Sequence, residues 1–528
     1  MLALLLGLVL VGCDTTETPP VDAFPFDPDT TDFSQITSLD YGDYVQPLLA
    51  ARDVFSRTAT DDRGALDDYE WDDVFYGAPG TGETLSPGET IVPFDADGSL
   101  LVRFVEDLAD DVEIPFPNLR RLQDDEVDYL KRWIEDGARN DDGEVPYHDS
   151  EHLLYTAIQG ANYVAIIDAE RRQVIRNVYF ADHGLVCAPN GPHYMVFEPD
   201  RSAVYVSLIN CNTVAKISGS LTMDPSDPAY LLGTSPSFTT PGMMALDPEA
   251  DRLYVGRSTA SVQGTPRVGV FDPSTMALIE EFDLGLDIPH AIALTPDGRF
   301  LLTAPLRGSA QEALATSVDA ATGDIVSQVP VGFGAELVHF SILPDGSTAT
   351  LTANPTDDSP DRVLFFDIAD DGTLTLTGHV ETGGERAWHA HLDSDGVTVL
   401  VPNHASNSVS LIDVPSMALR LEVEDDGSVE NWPLAMPYAP GPTIEGAFFV
   451  SNSNLGTNQM PTWAPPYPFL GDDGEPLGNE QFGNVTVLDP ATGEVLKVIL
   501  LGRYPSGMEH WMAGGHHHGG AHGGHGGH

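Results

Sequence analysis

Pro289-His290-Ala291-Ile292-Ala293-Leu294-Thr295-Pro296-Asp297-Gly298 is a histidine, a short apolar run and a turn. The order recurs along the chain. Pro192-His193 precedes a turn at Pro199-Asp200, Val338-His339 one at Pro344-Asp345-Gly346, and Trp388-His389 one at Ser394-Asp395-Gly396. A period of about fifty residues points to a propeller or solenoid. A second signature, an alternating run that mostly ends in aspartate, has seven copies: Tyr163–Asp168, Val214–Ser218, Val268–Asp272, Thr316–Asp319, Val363–Asp367, Val409–Asp413 and Val485–Asp489. Each follows another apolar run, from Leu153-Leu154-Tyr155 to Phe448-Phe449-Val450. Seven four-stranded blades of a β-propeller are predicted. The first unit lacks an inner strand, while Tyr504 to His510 has no blade of its own. The last strand should therefore complete blade one and close the ring.

Equivalent positions of different blades meet around one channel, so histidines far apart in sequence should converge. His193, His290, His339 and His389 fall near the entry ends of inner strands. His391, two residues past His389, points the same way by strand alternation. His183 lies in a loop leading into an inner strand and His404 in a loop between second and third strands, both on the entry face. Met243, Met436 and Met508 take entry positions of other blades, with His510 just beyond. Neutral imidazole is the commonest metal ligand. Several histidines with nearby thioether suit copper, with zinc next. A lone histidine here would merely cap a strand; five or more on one face favour a bound metal. Glu336, Asn403 and Glu509 offer the carboxylate and amide donors that a metal-assisted hydrolase would use.

The remaining composition narrows the partners. Against 24 basic residues stand 81 acidic ones, for a net charge of −57 over 528 residues. Such a surface repels nucleic acid and anionic lipid, and it suits a salty medium. No phosphate-binding loop, Gly-x-Ser-x-Gly elbow or Cys-based zinc motif is found. Gly514 to His528 is glycine and histidine with one alanine. That tail, His516, His517 and His518 included, cannot pack a core but can bind copper, nickel or zinc loosely.

Residues 1–12 are apolar and end in Leu10-Val11-Gly12-Cys13, which resembles the lipobox of bacterial lipoproteins. The resemblance implies a leader over 1–13, a lipid on Cys13, a Pro/Thr/Asp-rich tether over 14–37 and a place in the cell envelope, attached to its membrane. An exported chain permits a disulfide between Cys187 and Cys211, which lie on the entry face. Over 38–146 the repeat is absent. Tyr44-Val45-Gln46-Pro47-Leu48-Leu49 and the helix predicted from Leu122 to Arg139 resemble the small bacterial c-type cytochrome domains. Their Cys-x-x-Cys-His motif is replaced by Asp53-Val54-Phe55-Ser56-Arg57, and no methionine lies near Glu113-Ile114-Pro115, so no covalent haem is expected. A helical spacer or docking module is what remains. The repeats over 147–512 resemble the Tyr-Val-Thr-Asn class of bacterial propellers. The histidine set is similar to the hub of the nitrous-oxide reductase propeller, and to the nitrite reductase propeller, although neither enzyme's ordered pairs are reproduced. The expected protein is mainly β, with a small N-terminal helical domain. Its propeller would bind a transition metal, copper before zinc, and residues 513–528 would form a capture tail. An envelope redox or metal-transport protein would be the partner. The alternatives are a copper oxidoreductase, a lactonase-like hydrolase, or a scaffold with structural histidines.

Overall fold

The computed structural model describes residue 26 and residues 29–55, 69–77, 85–106, 122–187, 191–258, 267–306, 313–332, 334–425, 433–453 and 483–512. Cys13, the segment around Ile114, residues 454–482 and the histidines of the tail lie outside them.

Seven four-stranded antiparallel sheets make the propeller. Blade one is closed by the C-terminal strand Pro505–Met512, which pairs with His152–Ile158, Leu153 facing Trp511 and Tyr155 facing Glu509. This is the closure the strand count demanded. The other inner strands are Pro192–Phe197, Pro241–Asp247, Pro289–Leu294, Ala335–Ile342, the short His391–Leu392 and Pro437–Ile444, for blades two to seven in order.

The recurring aspartates are turn formers. The carboxylates of Asp272, Asp319 and Asp489 each accept amides two and three residues on, at 2.8–3.0 Å. Asp297, Asp345 and Asp395 do the same two residues on, ahead of second strands. Part of the acidity is thus spent on holding hairpins, where an Asp side chain mimics a backbone turn.

The inner strands share one irregularity. In blade two Pro192 faces Leu208 and Met195 faces Val206, three steps against two. One extra residue likewise enters the inner strands of blades three, four, five and seven, and that of blade one. In blade six the bridge Ala387–Asn403 and the pair His391–Leu400 give four steps against three. Such a bulge breaks the alternation and re-aims a side chain. It also frees an amide. Hydroxyls on the second strands take up three of these: Ser207 accepts from Tyr194 at 3.1 Å, Thr352 from His339 at 3.0 Å and Ser451 from Ala439 at 3.1 Å.

The N-terminal segment is helical, with α-helices at Gln46–Arg52, Trp71–Tyr76, Leu100–Val105 and Asp124–Glu135. The last begins with a capping box between Gln123 and Glu126. Its interior is aromatic, with Phe75 against Trp133 and Tyr147, and Tyr41 against Trp133. It is no loose spacer, because a continuous apolar cluster runs from Phe33 and Trp133 into Leu153, Tyr155, Met195 and Trp511. Polar ties reinforce that seam. Asp95 accepts from Asn177 at 2.7 Å and Tyr179 at 3.0 Å, Lys497 reaches Glu89 at 2.7 Å, and the buried Arg176 donates to the Pro146 carbonyl at 2.9 Å. Among the described residues no helix is long and apolar enough to cross a membrane.

Ring closure and the hub meet at Gly507. A Cβ there would lie 2.1 Å from the His193 carbonyl oxygen and 3.4 Å from the Tyr194 Cα. Backbone faces it on both counts, so relief requires the closing strand and blade two to separate. Gly507→Ala should destabilise by about 1–3 kcal/mol. Chemical denaturation would check it; unchanged stability would show that the two strands are not in close contact.

Candidate metal centre

The bulges hold residues out of register, among them His193 in blade two, Gly242 in three, His290 in four, His339 in five, His389 in six, Tyr438 in seven and Ser506 in one. Three of these form a tight group. His193, His290 and His389 come from alternate blades, and each offers a nitrogen within 4.8 Å of the other two. Their ring centroids are 5.4–5.9 Å apart, and none of the three is more than 2% exposed.

Neighbouring groups orient two of the rings. His290 Nδ1 donates to the Arg257 carbonyl at 3.0 Å, so its Nε2 carries the lone pair. His193 Nδ1 is 3.2 Å from the Gln159 amide oxygen, which makes it the donor and leaves Nε2 unprotonated. Both Nε2 atoms, and both ring nitrogens of His389, are buried without a hydrogen-bond partner. An imidazole that donates through one nitrogen to a carbonyl and presents the other bare is oriented as metal-bound histidines are. Gly242 makes room for this: a Cβ there would lie 2.8–2.9 Å from the backbone of Arg257, whose carbonyl fixes the His290 tautomer.

Desolvation keeps the group neutral. Burial, with a smaller contribution from His290, pushes the His193 imidazole down to about 3, and burial pushes His290 down to about 4. His339 and His389 fall well below the ordinary histidine value, first through burial and then through neighbouring histidines. Four uncharged nitrogen bases therefore sit in one dry hub at neutral pH.

The other predicted residues divide. His339 is buried 5.7 Å from the His389 ring and 4.8 Å from that of His391, whose Nε2 lies 3.2 Å from Glu509 Oε1. His404 donates to the Pro437 carbonyl at 3.1 Å and stacks on Trp388, at the rim. His183 is tied to the Pro225 carbonyl at 2.9 Å, and His510 stacks on His152 towards the far end of the closing strand. Neither joins the triad. Met243 and Met508 are buried in separate apolar clusters, Met243 among Met244, Leu253 and Phe271, and Met508 among Leu154, Ala439 and Phe449. Asn403 gives its amide to the Ser408 and Ser410 hydroxyls, and Glu336 faces Asn354 across the inner hairpin of blade five. The disulfide Cys187–Cys211 is present and clamps the loop that enters the strand of His193. Two residues escaped the sequence reading. Tyr438, stacked on His389 at 5.1 Å, follows a proline as His193 and His290 do, and that dipeptide was the available signal. Gln159 follows the second strand of blade one, the position His404 holds in blade six.

No protein-family model matches the chain. No curated protein matches it either. Solved structures do. Hydrazine synthase of Kuenenia stuttgartiensis is 13% identical at a TM-score of 0.46, covering 57% of this chain and 89% of that one. The β-propeller domain of Cps50 (Swd1) from Myceliophteria thermophila is 13% identical at 0.43, covering 57% and 90%. A chain of a nidogen/laminin complex is 15% identical at 0.36, covering 52% and 93%. Nothing about the site follows from likenesses so distant.

The buried rings predict an acid response of the metal-free protein. A folded value of about 4 for His290, below the ordinary 6.5, means that the unfolded chain takes up the proton first. Its contribution to stability is complete above pH 6.5 and is lost as pH falls towards 4. His290→Gln removes that dependence. The wild-type advantage in unfolding free energy should shrink by about 2–3 kcal/mol between pH 7 and 4. Urea titrations at both pH values would show it, and a difference independent of pH would mean that the ring is not held neutral.

Proposed function

We propose that this chain is an envelope-anchored metal-binding protein. Its propeller holds a transition-metal ion through His193, His290 and His389, copper ahead of zinc. One observation carries the reading: three buried imidazoles from alternate blades converge with bare nitrogens that nothing else in the described protein satisfies. A buried polar atom without a partner costs roughly 1–3 kcal/mol, so several at one point need a purpose. A cation supplies it. Copper comes first because divalent copper binds nitrogen sites more tightly than its neighbours in the series, not because of thioether ligands. A lipid on Cys13 would fix the protein at a membrane surface, and the histidine tail would concentrate metal near it. The high negative charge would favour metal cations over anions in the surrounding solution.

A second reading, a metal-dependent enzyme, is favoured by the ligand count. Three protein ligands leave a coordination position open, as in catalytic rather than structural sites. On a copper-loaded protein, azide should produce a new charge-transfer absorption if that position can be reached. An unchanged spectrum would remove the enzymatic reading and leave the binding one.

The test of binding uses the full chain with its six tail histidines replaced by serine. Plasma mass spectrometry after copper loading and desalting should find tightly held metal. The variant His193→Gln/His290→Gln/His389→Gln should lose one equivalent while keeping its circular dichroism. Metal content unchanged by the triple substitution would overturn the assignment.

A further inference from the structure

We propose a ligand site for a small amphipathic carboxylate in the cleft where the helical segment meets blades one and seven. It is separate from the metal centre and does not depend on it. On one side lie the turn Pro87–Thr90 and the helix Leu100–Val105, on the other the outer strands Gln173–Tyr179 and Val495–Leu501. The cleft encloses about 620 Å³ of empty space, solvent at its mouth included. That is within the range of small-molecule sites, which favour domain interfaces. Val92, Leu100, Val174 and Ile499 give it an apolar lining.

The unsatisfied polar groups of that lining are donors. Lys497, its side chain 8% exposed, gives one ammonium proton to Glu89 at 2.7 Å and has two more to give. Tyr163 accepts the Gly502 amide at 2.9 Å, and its own proton meets no acceptor among the described residues. Gln173 is buried, and its Nε2 has no hydrogen-bond partner. Arg172 adds a second cation. The one carboxylate in the lining, Glu89, already accepts from Ser86 and Lys497. Asp95, bonded to the lining residue Asn177, also accepts from Tyr179 and the Gly98 amide. A ligand therefore has to accept hydrogen bonds, and two cations beside one occupied carboxylate favour an anion. Burial holds the Lys497 ammonium below its ordinary pKa in spite of Glu89, so a further negative charge would compensate it. The arrangement runs against the composition, in which acids outnumber bases 81 to 24 and one of only three lysines is buried here. A monocarboxylate on a short alkyl chain fits both halves of the cleft, its head on the donors and its chain on the apolar lining.

Isothermal titration calorimetry of the full chain with octanoate, EDTA present, tests the site. One saturable site is expected, and 1-octanol, which brings no charge, should bind about tenfold more weakly. Lys497→Met should lower octanoate affinity by about tenfold and leave that for octanol unchanged. Val174→Trp, which fills the cleft from a half-buried position, should abolish both. Where Lys497→Met fails to fold by circular dichroism, Arg172→Gln reads the same charge at a half-buried turn, with a several-fold loss expected. No saturable octanoate binding, or binding that these substitutions leave unchanged, overturns the proposal. Octanol bound as tightly as octanoate overturns the assignment of a carboxylate.

Discussion

Everything at the hub depends on the hydrogen bonding of Pro505–Met512 to His152–Ile158. The strands are separated by almost the whole propeller, so their pairing brings order late and at a cost in loop-closure entropy that grows only slowly with length. Once made, it supplies the fourth strand of blade one and fixes the circumference of the ring. The circumference sets the distance across the channel, and with it the separation of rings from alternate blades. Closure acts on the site directly as well. Gly507 lies against the backbone of His193, and Glu509 of the closing strand lies 3.2 Å from His391 of blade six.

The second constraint is the repeated bulge. In an unbroken strand the residue after the entry proline would alternate into the packing between blades. One extra residue per inner strand breaks that alternation, and the hydroxyls of Ser207, Thr352 and Ser451 take up displaced amides. The sequence fills the position with histidine four times, with tyrosine once, and with glycine and serine at the remaining two. The irregular geometry belongs to the fold; the choice of side chain makes this hub nitrogen-rich.

Strand order, blade number and the closing strand were legible because turn chemistry and period-two alternation survive in single copies of the repeat. Asp297 and Gly298, with a φ of 70°, announce a turn wherever they occur. Convergence of His193, His290 and His389 followed from topology alone. The methionines were misread for a physical reason. Met243 and Met508 sit at or beside a bulge, where counting residues no longer gives the face, and both turn into apolar packing between blades. His183 and His510 show the other limit. Being on the right face or strand does not place a side chain within a few ångströms of a centre, and local carbonyls or ring stacking decide the matter. Gln159 was illegible because a ligand-orienting residue needs only one well-placed oxygen, which leaves no pattern in a sequence.

The energetics of the hub set it apart from ordinary core packing. Tyr438, Trp388 and Tyr194 surround the imidazoles with apolar ring surface, which excludes water and forces the histidines to stay neutral. A core selected for stability alone would fill that space with Leu, Ile or Phe and leave no bare nitrogen. The chain instead keeps buried bases next to one another, where protonating one raises the cost of protonating the next. That mutual penalty acts on protons, because each adds a charge to a separate ring. A single cation shared by three rings escapes it, since one charge is spread over all the donors that the dry environment would otherwise leave unsatisfied. The same burial that expels protons therefore selects for an ion that can be held in common.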